Sequence, residues 1–362
     1  MTIQDLSQRR SPQGSLDPGK IAFGKTFAPN MFLCEYREGV WQNARVEPLS
    51  NFQLHPAALV FHYAQTIFEG LKAFRQADGS VALFRPEKNA RRLNLSADRM
   101  CMPQVDEKLF LDAVTELVRV EEEYVLPEPG SLYLRPVLMG TEACIGVRAS
   151  SEFLFYILAL PTGAYFPEAH GGPGAVSVLI AESVVRAAPG GTGAIKAAAN
   201  YAVTLKVISD AKTKGCAQVL FLDVSPEHRV EEMGGMNIMF VENGMVITPP
   251  LKDTLLPGVI RDSLLQLAKD LGFANKEYAY TAAELKSKLK NGSIQEAFAC
   301  GTAATVTGIS SFKLEDGAEF NLPSPGPVSE KLYRHLVGVQ YGRIADKHGW
   351  LRTAVDVKSL VS

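Results

Sequence analysis

Apolar and polar positions divide the 362-residue chain into short strands and a smaller number of helices. Met31–Tyr36, Val81–Phe84, Ser131–Met139 and Phe153–Leu160 are compact runs rich in branched and aromatic residues, the pattern of buried strands. An Asp78-Gly79 turn signal precedes the second of them. Asp106–Val118 carries a helical period instead, with Leu109, Phe110, Val114, Leu117 and Val118 on one stripe. The second half alternates more clearly. It predicts a strand at Val176–Ala181, a helix at Tyr201–Lys214 stopped by Gly215, and strands at Val219–Leu222 and Ile238–Val241. A helix at Gly258–Leu271 follows, and Thr281-Ala282-Ala283-Glu284 has the form of a capping box. The strand Ala297–Cys300 runs into Gly301-Thr302-Ala303, and a last helix covers roughly 327–346.

Both halves mix helix and strand, so the predicted class is α/β or α+β in two domains. The length points the same way, since single cores rarely grow past ~250–300 residues. Residues 1–20 read as a polar N-terminal arm, 21–162 as a smaller domain and 175–362 as a larger one. The stretch 163–174, dense in Gly and Pro, reads as the linker between them.

Composition narrows the partners. The apolar share of 46% and charged share of 21% are ordinary for a globular protein. A net charge of −2 without a Lys/Arg stripe argues against nucleic acid. The longest apolar run, Phe153–Pro161, is far short of the ~20 residues that span a bilayer, so no membrane association is expected. Met1–Arg10 lacks the apolar core of a signal peptide. Five scattered cysteines without a Cys-x-x-Cys fit a reduced, cytoplasmic protein with no zinc site.

The most suggestive chemistry lies in Gly190-Gly191-Thr192-Gly193-Ala194-Ile195-Lys196-Ala197-Ala198-Ala199-Asn200-Tyr201, where Lys196 is the one cation among small and apolar residues. Desolvation lowers an ammonium pKa, and the neutral amine condenses with carbonyls. A loop lysine pointing into water is the alternative. The glycines do not make a nucleotide loop. Lys196 lacks the preceding Gly and following Ser or Thr of a Walker motif, and it stands where a dinucleotide fingerprint needs its third glycine.

Leu256-Pro257-Gly258-Val259-Ile260 opens a helix whose first N–H groups could hold a phosphate, or it is an ordinary helix start. Gly301-Thr302-Ala303 is a second, weaker phosphate turn. Glu231-Glu232 precede a glycine turn, where one carboxylate could hold a heteroaromatic ring nitrogen protonated. Strand alternation allows only one of the two that role, and a solvated acidic turn is the alternative. Tyr133 and Arg135, two apart, share a strand face and could grip a carboxylate or form a surface pair. Arg85, at a strand end before Pro86, could meet a phosphate.

Taken in order, several segments resemble the branched-chain amino acid aminotransferases, of the class IV pyridoxal-phosphate-dependent aminotransferase family. They are Phe61-His62-Tyr63-Ala64-Gln65-Thr66-Ile67-Phe68-Glu69-Gly70-Leu71-Lys72-Ala73-Phe74, Leu83-Phe84-Arg85-Pro86, Leu132–Leu138 and Gly163–Pro167. Ile195-Lys196 through Tyr201, Glu232–Asn237, Leu256-Pro257-Gly258 and Gly301-Thr302-Ala303 complete the set, so the likeness runs from about Ile21 to about Gly349.

The resemblance implies a fold-type IV enzyme with pyridoxal 5′-phosphate between its two domains. Lys196 then matches the catalytic lysine that bonds the cofactor aldehyde and carries the substrate Cα proton. Glu232 matches the partner of the pyridine nitrogen, and Tyr201 the group bonding the ring oxygen. Arg85, the Val259 and Ile260 N–H groups and Thr302 match the phosphate cup. Phe23, Tyr63, Phe68, Tyr133, Arg135 and Ala303 match the substrate pocket.

The same likeness implies that Tyr63, Ile145 and Val147 reach the site from a partner subunit, hence a homodimer. The reaction it implies is reversible ping-pong transfer between Leu, Ile or Val and 2-oxoglutarate. Ala199 and Gly235 depart from the family, which often has Gly and Thr there. Ala303-Ala304-Thr305-Val306-Thr307 lacks the redox Cys-x-x-Cys of mammalian forms. A D-amino-acid transaminase or aminodeoxychorismate lyase on the same fold is the near alternative, and a noncatalytic binding protein the distant one.

Overall fold

The computed structural model describes residues 1–12, 16–163 and 175–356. Apart from Gly163, the segment expected to be the linker lies outside the described residues. The chain forms two compact units. One takes Met1–Pro167, Lys196–Ala198 and Gly338–Ser362, and the other takes Glu168–Ile195 and Ala199–Val337.

In chain order the first unit holds β1 (Gln4–Asp5), β2 (Asn30–Arg37), β3 (Val40–Pro48), α1 (Leu59–Tyr63), β4 (Thr66–Phe68) and β5 (Leu71–Arg75). It continues with β6 (Val81–Phe84), α2 (Pro86–Arg99), α3 (Glu107–Val120), β7 (Ser131–Gly140) and β8 (Phe153–Thr162). With β18 (Leu351–Val355) the strands make one sheet in the order β1-β3-β2-β8-β7-β5-β6-β18, and β4 also pairs with β7. The strands predicted within β2, β6, β7 and β8 are all present. The α3 stripe packs as its period requires: Leu109, Phe110, Val114, Leu117 and Val118 are buried, and Phe110 stacks on Phe155 of β8. Asp106 caps that helix by accepting from the Lys108 and Leu109 N–H groups.

A buried acid sits at the other end of α3. Glu121 Oε1 accepts from the Asn30 backbone N–H and from Asn30 Nδ2, each at 2.7 Å. Burial outweighs those bonds and lifts the carboxyl from its ordinary 4.5 to about 7. A folded-state value above the unfolded one favours folding at acid pH, and that contribution is lost as pH rises from 4.5 to about 7. Urea titrations at pH 5 and pH 8 should therefore show Glu121→Gln gaining on the wild type at the higher pH, by up to ~3 kcal/mol. An equal difference at both values would refute the assignment.

The second unit holds β9 (Ala175–Ala181), α4 (Ala199–Ala202), α5 (Leu205–Thr213), β10 (Gln218–Leu222), β11 (Val230–Met233) and β12 (Asn237–Glu242). Then come β13 (Met245–Thr248), α6 (Val259–Asp270), β14 (Asn275–Glu277), α7 (Ala282–Lys290), β15 (Ile294–Gly301), β16 (Thr305–Lys313) and β17 (Glu319–Asn321). α8 (Pro327–Gln340) follows. The sheet order is β11-β10-β9-β16-β15-β12-β13-β14, with β17 on β16. Parallel pairs β9–β10 and β9–β16 sit among antiparallel ones, so the sheet is mixed. Val207, Ile208 and Ala211 of α5 pack on Leu179, Val219 and Phe221. The Thr281 capping box of α7 forms as expected, with Glu284 N on Thr281 Oγ1 and Thr281 N on Glu284 Oε2.

Two helices differ from expectation. The single helix predicted over Tyr201–Lys214 is broken into α4 and α5. Thr204 N and Oγ1 both bond the Tyr201 carbonyl, tightening that turn. α8 ends at Gln340 rather than near 346, because the chain turns at Gly342, which takes φ +70°.

Candidate active site

In the first unit the sheet register gathers one chemical face. Lys72 lies opposite Tyr133, Phe68 opposite Val137, and Arg135 opposite Leu158. Cross-strand partners share a face and residues two apart stay on it, so Phe68, Lys72, Tyr133 and Arg135 project together. Arg135 Nη2 donates to Tyr133 Oη at 3.1 Å, and its guanidinium lies 4.6 Å over the Phe68 ring. Arg135 Nε is buried with no hydrogen-bond partner. A donor left in that condition costs about 1–3 kcal/mol. Phe23 stands edge-on to Tyr133 at 5.0 Å, which adds an aromatic wall.

Lys196 joins this face through its backbone. Phe68 N donates to the Lys196 carbonyl at 3.0 Å, Ala197 bridges Ile67, and Ala198 N donates to Thr66 O. Lys196 N donates in turn to Ser96 Oγ on α2. The Lys196 side chain is half-buried, and its Nζ lies 4.8 Å from the centre of the Phe68 ring.

Several supporting residues were not anticipated as site residues. Burial pushes the Lys72 amine down from 10.5 to about 8. Like Lys196, Lys72 is a cation in an apolar window, Leu71-Lys72-Ala73-Phe74. Glu69 is wholly buried and takes a forked pair from Arg92 (Nε to Oε1 2.7 Å, Nη2 to Oε2 2.8 Å) plus Asn89 Nδ2 at 2.7 Å. This network pins the Phe68–Gly70 corner. A Cβ on Gly70 would fall 2.1 Å from Tyr133 Oη, so only glycine lets the phenol sit there.

Arg85 caps α2 in the left-handed region (φ +51°), with its guanidinium 4.9 Å over the Trp350 ring. Tyr63 Oη donates to the Ile145 carbonyl. Tyr63, Ile145 and Val147 are 40%, 67% and 87% exposed, so they form surface rather than lining the Tyr133 face.

In the second unit the two glutamates part as strand alternation demands. Glu231 turns to Lys252 Nζ at 3.0 Å and to Thr254 Oγ1. Glu232 turns the other way, to the Arg186 guanidinium, Asn237 Nδ2 at 2.8 Å and Leu256 N at 3.2 Å. Asn237 Nδ2 also bonds Leu256 O at 3.0 Å, and its Oδ1 lies 2.0 Å from where a Gly258 Cβ would stand. The turn before α6 is therefore clamped to Glu232.

Gly258 supplies no side-chain cap to α6, and Val259 and Ile260 behind it are 7% and 4% exposed. A buried, uncapped helix start suits an anion. Thr302 and Ala303 occupy the turn between β15 and β16, next to the Gly235–Met236 turn: a Gly301 Cβ would lie 3.4 Å from Met236. Tyr201 reaches the same turn, its ring 3.6 Å from a Gly235 Cβ position. Asn200 locks the loop before it, with Nδ2 on the Thr192 and Ile195 carbonyls at 2.6 and 2.8 Å.

The sequence profile for Amino-transferase class IV matches residues 66–312. This chain belongs to the class IV aminotransferase family. Among its relatives is the branched-chain-amino-acid aminotransferase of Mycolicibacterium smegmatis, 47% identical over 91% of this chain and 91% of that protein. The solved structure of the Escherichia coli branched-chain amino acid aminotransferase is 26% identical, with a TM-score of 0.74 over 89% of this chain and 99% of that one. That of Thermobaculum terrenum, solved in its PLP-form, is 26% identical with a TM-score of 0.72 over 90% and 98%. No group of His, Cys, Asp and Glu among the described residues could hold a metal, and no described helix is long and apolar enough to cross a membrane.

Proposed function

We propose that this chain is a branched-chain amino acid transaminase, moving an amino group reversibly between Leu, Ile or Val and 2-oxoglutarate with pyridoxal 5′-phosphate. The observation that carries the reading is the Phe68 ring, which holds the Lys196 amine at 4.8 Å and the Arg135 guanidinium at 4.6 Å. An amine able to move a proton thus shares an aromatic wall with a cation able to grip a carboxylate. The near identity in length with relatives of that activity supports it.

The residues fit the cofactor. The uncapped, buried start of α6 suits its phosphate, with the Val259 and Ile260 N–H groups and Thr302 as donors. Glu232, a buried carboxylate with a fixed hydrogen-bond set, suits its protonated ring nitrogen. Tyr201 supplies a phenol for its ring oxygen. When bound, the cofactor supplies an electron sink for the charge left at the substrate Cα.

The protein does the rest. Lys196 Nζ takes the proton from the substrate Cα and holds it for return. Phe23, Phe68 and Tyr133 exclude water around an apolar side chain. The Tyr133–Arg135 pair receives the second carboxylate of glutamate, and the partnerless Arg135 Nε offers a ready donor for it. The exposed Tyr63, Ile145 and Val147 support assembly as a homodimer in which they complete a neighbour's pocket. Five free thiols fit a reducing cytoplasm.

Leucine, D-alanine and aminodeoxychorismate, assayed in parallel with and without Arg135→Ala, test the reading. Leucine should be the good substrate. Arg135→Ala should cut kcat/KM for glutamate ~10²-fold, the order expected for a charged hydrogen bond, and that for leucine much less. Preference for D-alanine or for aminodeoxychorismate would put the chain in another branch of the family. Equal losses for glutamate and leucine would remove the role given to Arg135.

A further inference from the structure

The loop after β9 is mostly exposed, with Val184 and Val185 40% and 41% accessible, yet Arg186 turns inward to 7%. Its Nη2 donates to the Gly193 carbonyl at 3.0 Å and the Thr254 carbonyl at 2.7 Å, and it pairs with Glu232 Oε1. Both side chains of the pair are 4% exposed. Arg186 Nε is buried without any hydrogen-bond partner.

A purely structural arginine is poorly served by this arrangement. Desolvating two charges and orphaning a donor costs more than an apolar side chain of similar size would. Two neutral carbonyls could be met by neutral donors. What only a cation supplies is a fixed positive charge against one oxygen of Glu232, since a guanidinium does not deprotonate in proteins. The other oxygen is oriented separately by Asn237 Nδ2 at 2.8 Å. The guanidinium and the carboxylate thus meet out of water.

We propose that Arg186 is a positioning residue for the reaction: its charge keeps Glu232 a carboxylate and aims it, so that Glu232 can hold the cofactor's ring nitrogen protonated. This rests on the reading of Glu232 given above. Of the three partners of Arg186 only Glu232 carries a charge, and the proposed effect runs through that carboxylate.

The test uses full-length enzyme stripped of cofactor and reloaded, with binding read by cofactor absorbance and fluorescence rather than turnover. Two probes are compared, pyridoxal 5′-phosphate and its analogue with CH in place of the ring nitrogen. The wild type should prefer pyridoxal 5′-phosphate by about 10–100-fold, the value of a charge-assisted hydrogen bond. Glu232→Gln should erase the preference. Arg186→Gln should erase most of it while binding the analogue as the wild type does, and Arg186→Lys should keep it.

Arg186→Gln weakening both probes equally, or changing neither, would overturn the proposal. So would a folded Arg186→Lys without the preference, which keeps the test decisive if the glutamine variant does not fold. If Glu232→Gln retains the preference, the reading of Glu232 itself fails and the role of Arg186 falls with it. If Glu232→Gln loses the preference and the Arg186 variants do not follow the expected pattern, only the inference about Arg186 fails.

Discussion

Lys196→Ala should lower turnover of leucine with 2-oxoglutarate by about 10⁴-fold or more, while the protein stays folded. Proton transfer by a placed base is worth up to ~10⁴ in rate, and the amine proposed here also bonds the cofactor aldehyde. The fold should survive because the segment is held by backbone groups that alanine keeps: Phe68 N on the Lys196 carbonyl, Ala198 N on Thr66 O, and Lys196 N on Ser96 Oγ. The contact of its Nζ with the Phe68 ring is worth only ~0.5–2 kcal/mol. Steady-state kinetics and a thermal melt decide the matter. Substantial transamination in a folded variant would remove Lys196 from the chemistry, and a collapsed melt would show its role to be structural.

Glu232→Ala should hurt both stability and function. Removing one partner of a buried ion pair strands the other, here Arg186, and typically costs 3–5 kcal/mol. Asn237 and Leu256 N would lose an acceptor at the same time, loosening the turn into α6. Turnover should fall by at least ~10²-fold, because on the proposed reading Glu232 is the group that would hold the cofactor's ring nitrogen protonated. Denaturant titration of the full chain checks the first effect and kinetics with saturating cofactor the second. An unchanged denaturation midpoint would mean that Arg186 finds another partner, and unchanged kinetics that some other group serves the ring nitrogen.

Much of the fold was legible from pattern alone. α3 and the strands within β2, β6, β7 and β8 are stretches whose burial follows their period, so apolar residues mark the inward face directly. α2 was not legible for the opposite reason. Its buried face mixes Asn89, Arg92 and Ser96 with Pro86, Ala90, Leu93 and Ala97, so Leu93 is the one bulky aliphatic in a stripe that is otherwise small or polar. That same helix supplies the Arg92 and Asn89 bonds to Glu69 and the Ser96 bond to Lys196. Support of this kind is set by long-range pairing, and neighbouring residues say nothing of it.

What the sequence determined was local: strand spacing put Tyr133 and Arg135 on one face, alternation split Glu231 from Glu232, and a Pro-Gly start left α6 uncapped. Each follows from backbone geometry over two or three residues. Tertiary structure decided which distant groups meet those residues. It laid Phe68 beneath both Lys196 and Arg135, buried Lys72 beside them, and turned Arg186 in to Glu232 from a loop that is otherwise exposed. The physical reason is that a charge tolerates burial only against a specific partner, and that partner is chosen by the folding of the whole unit.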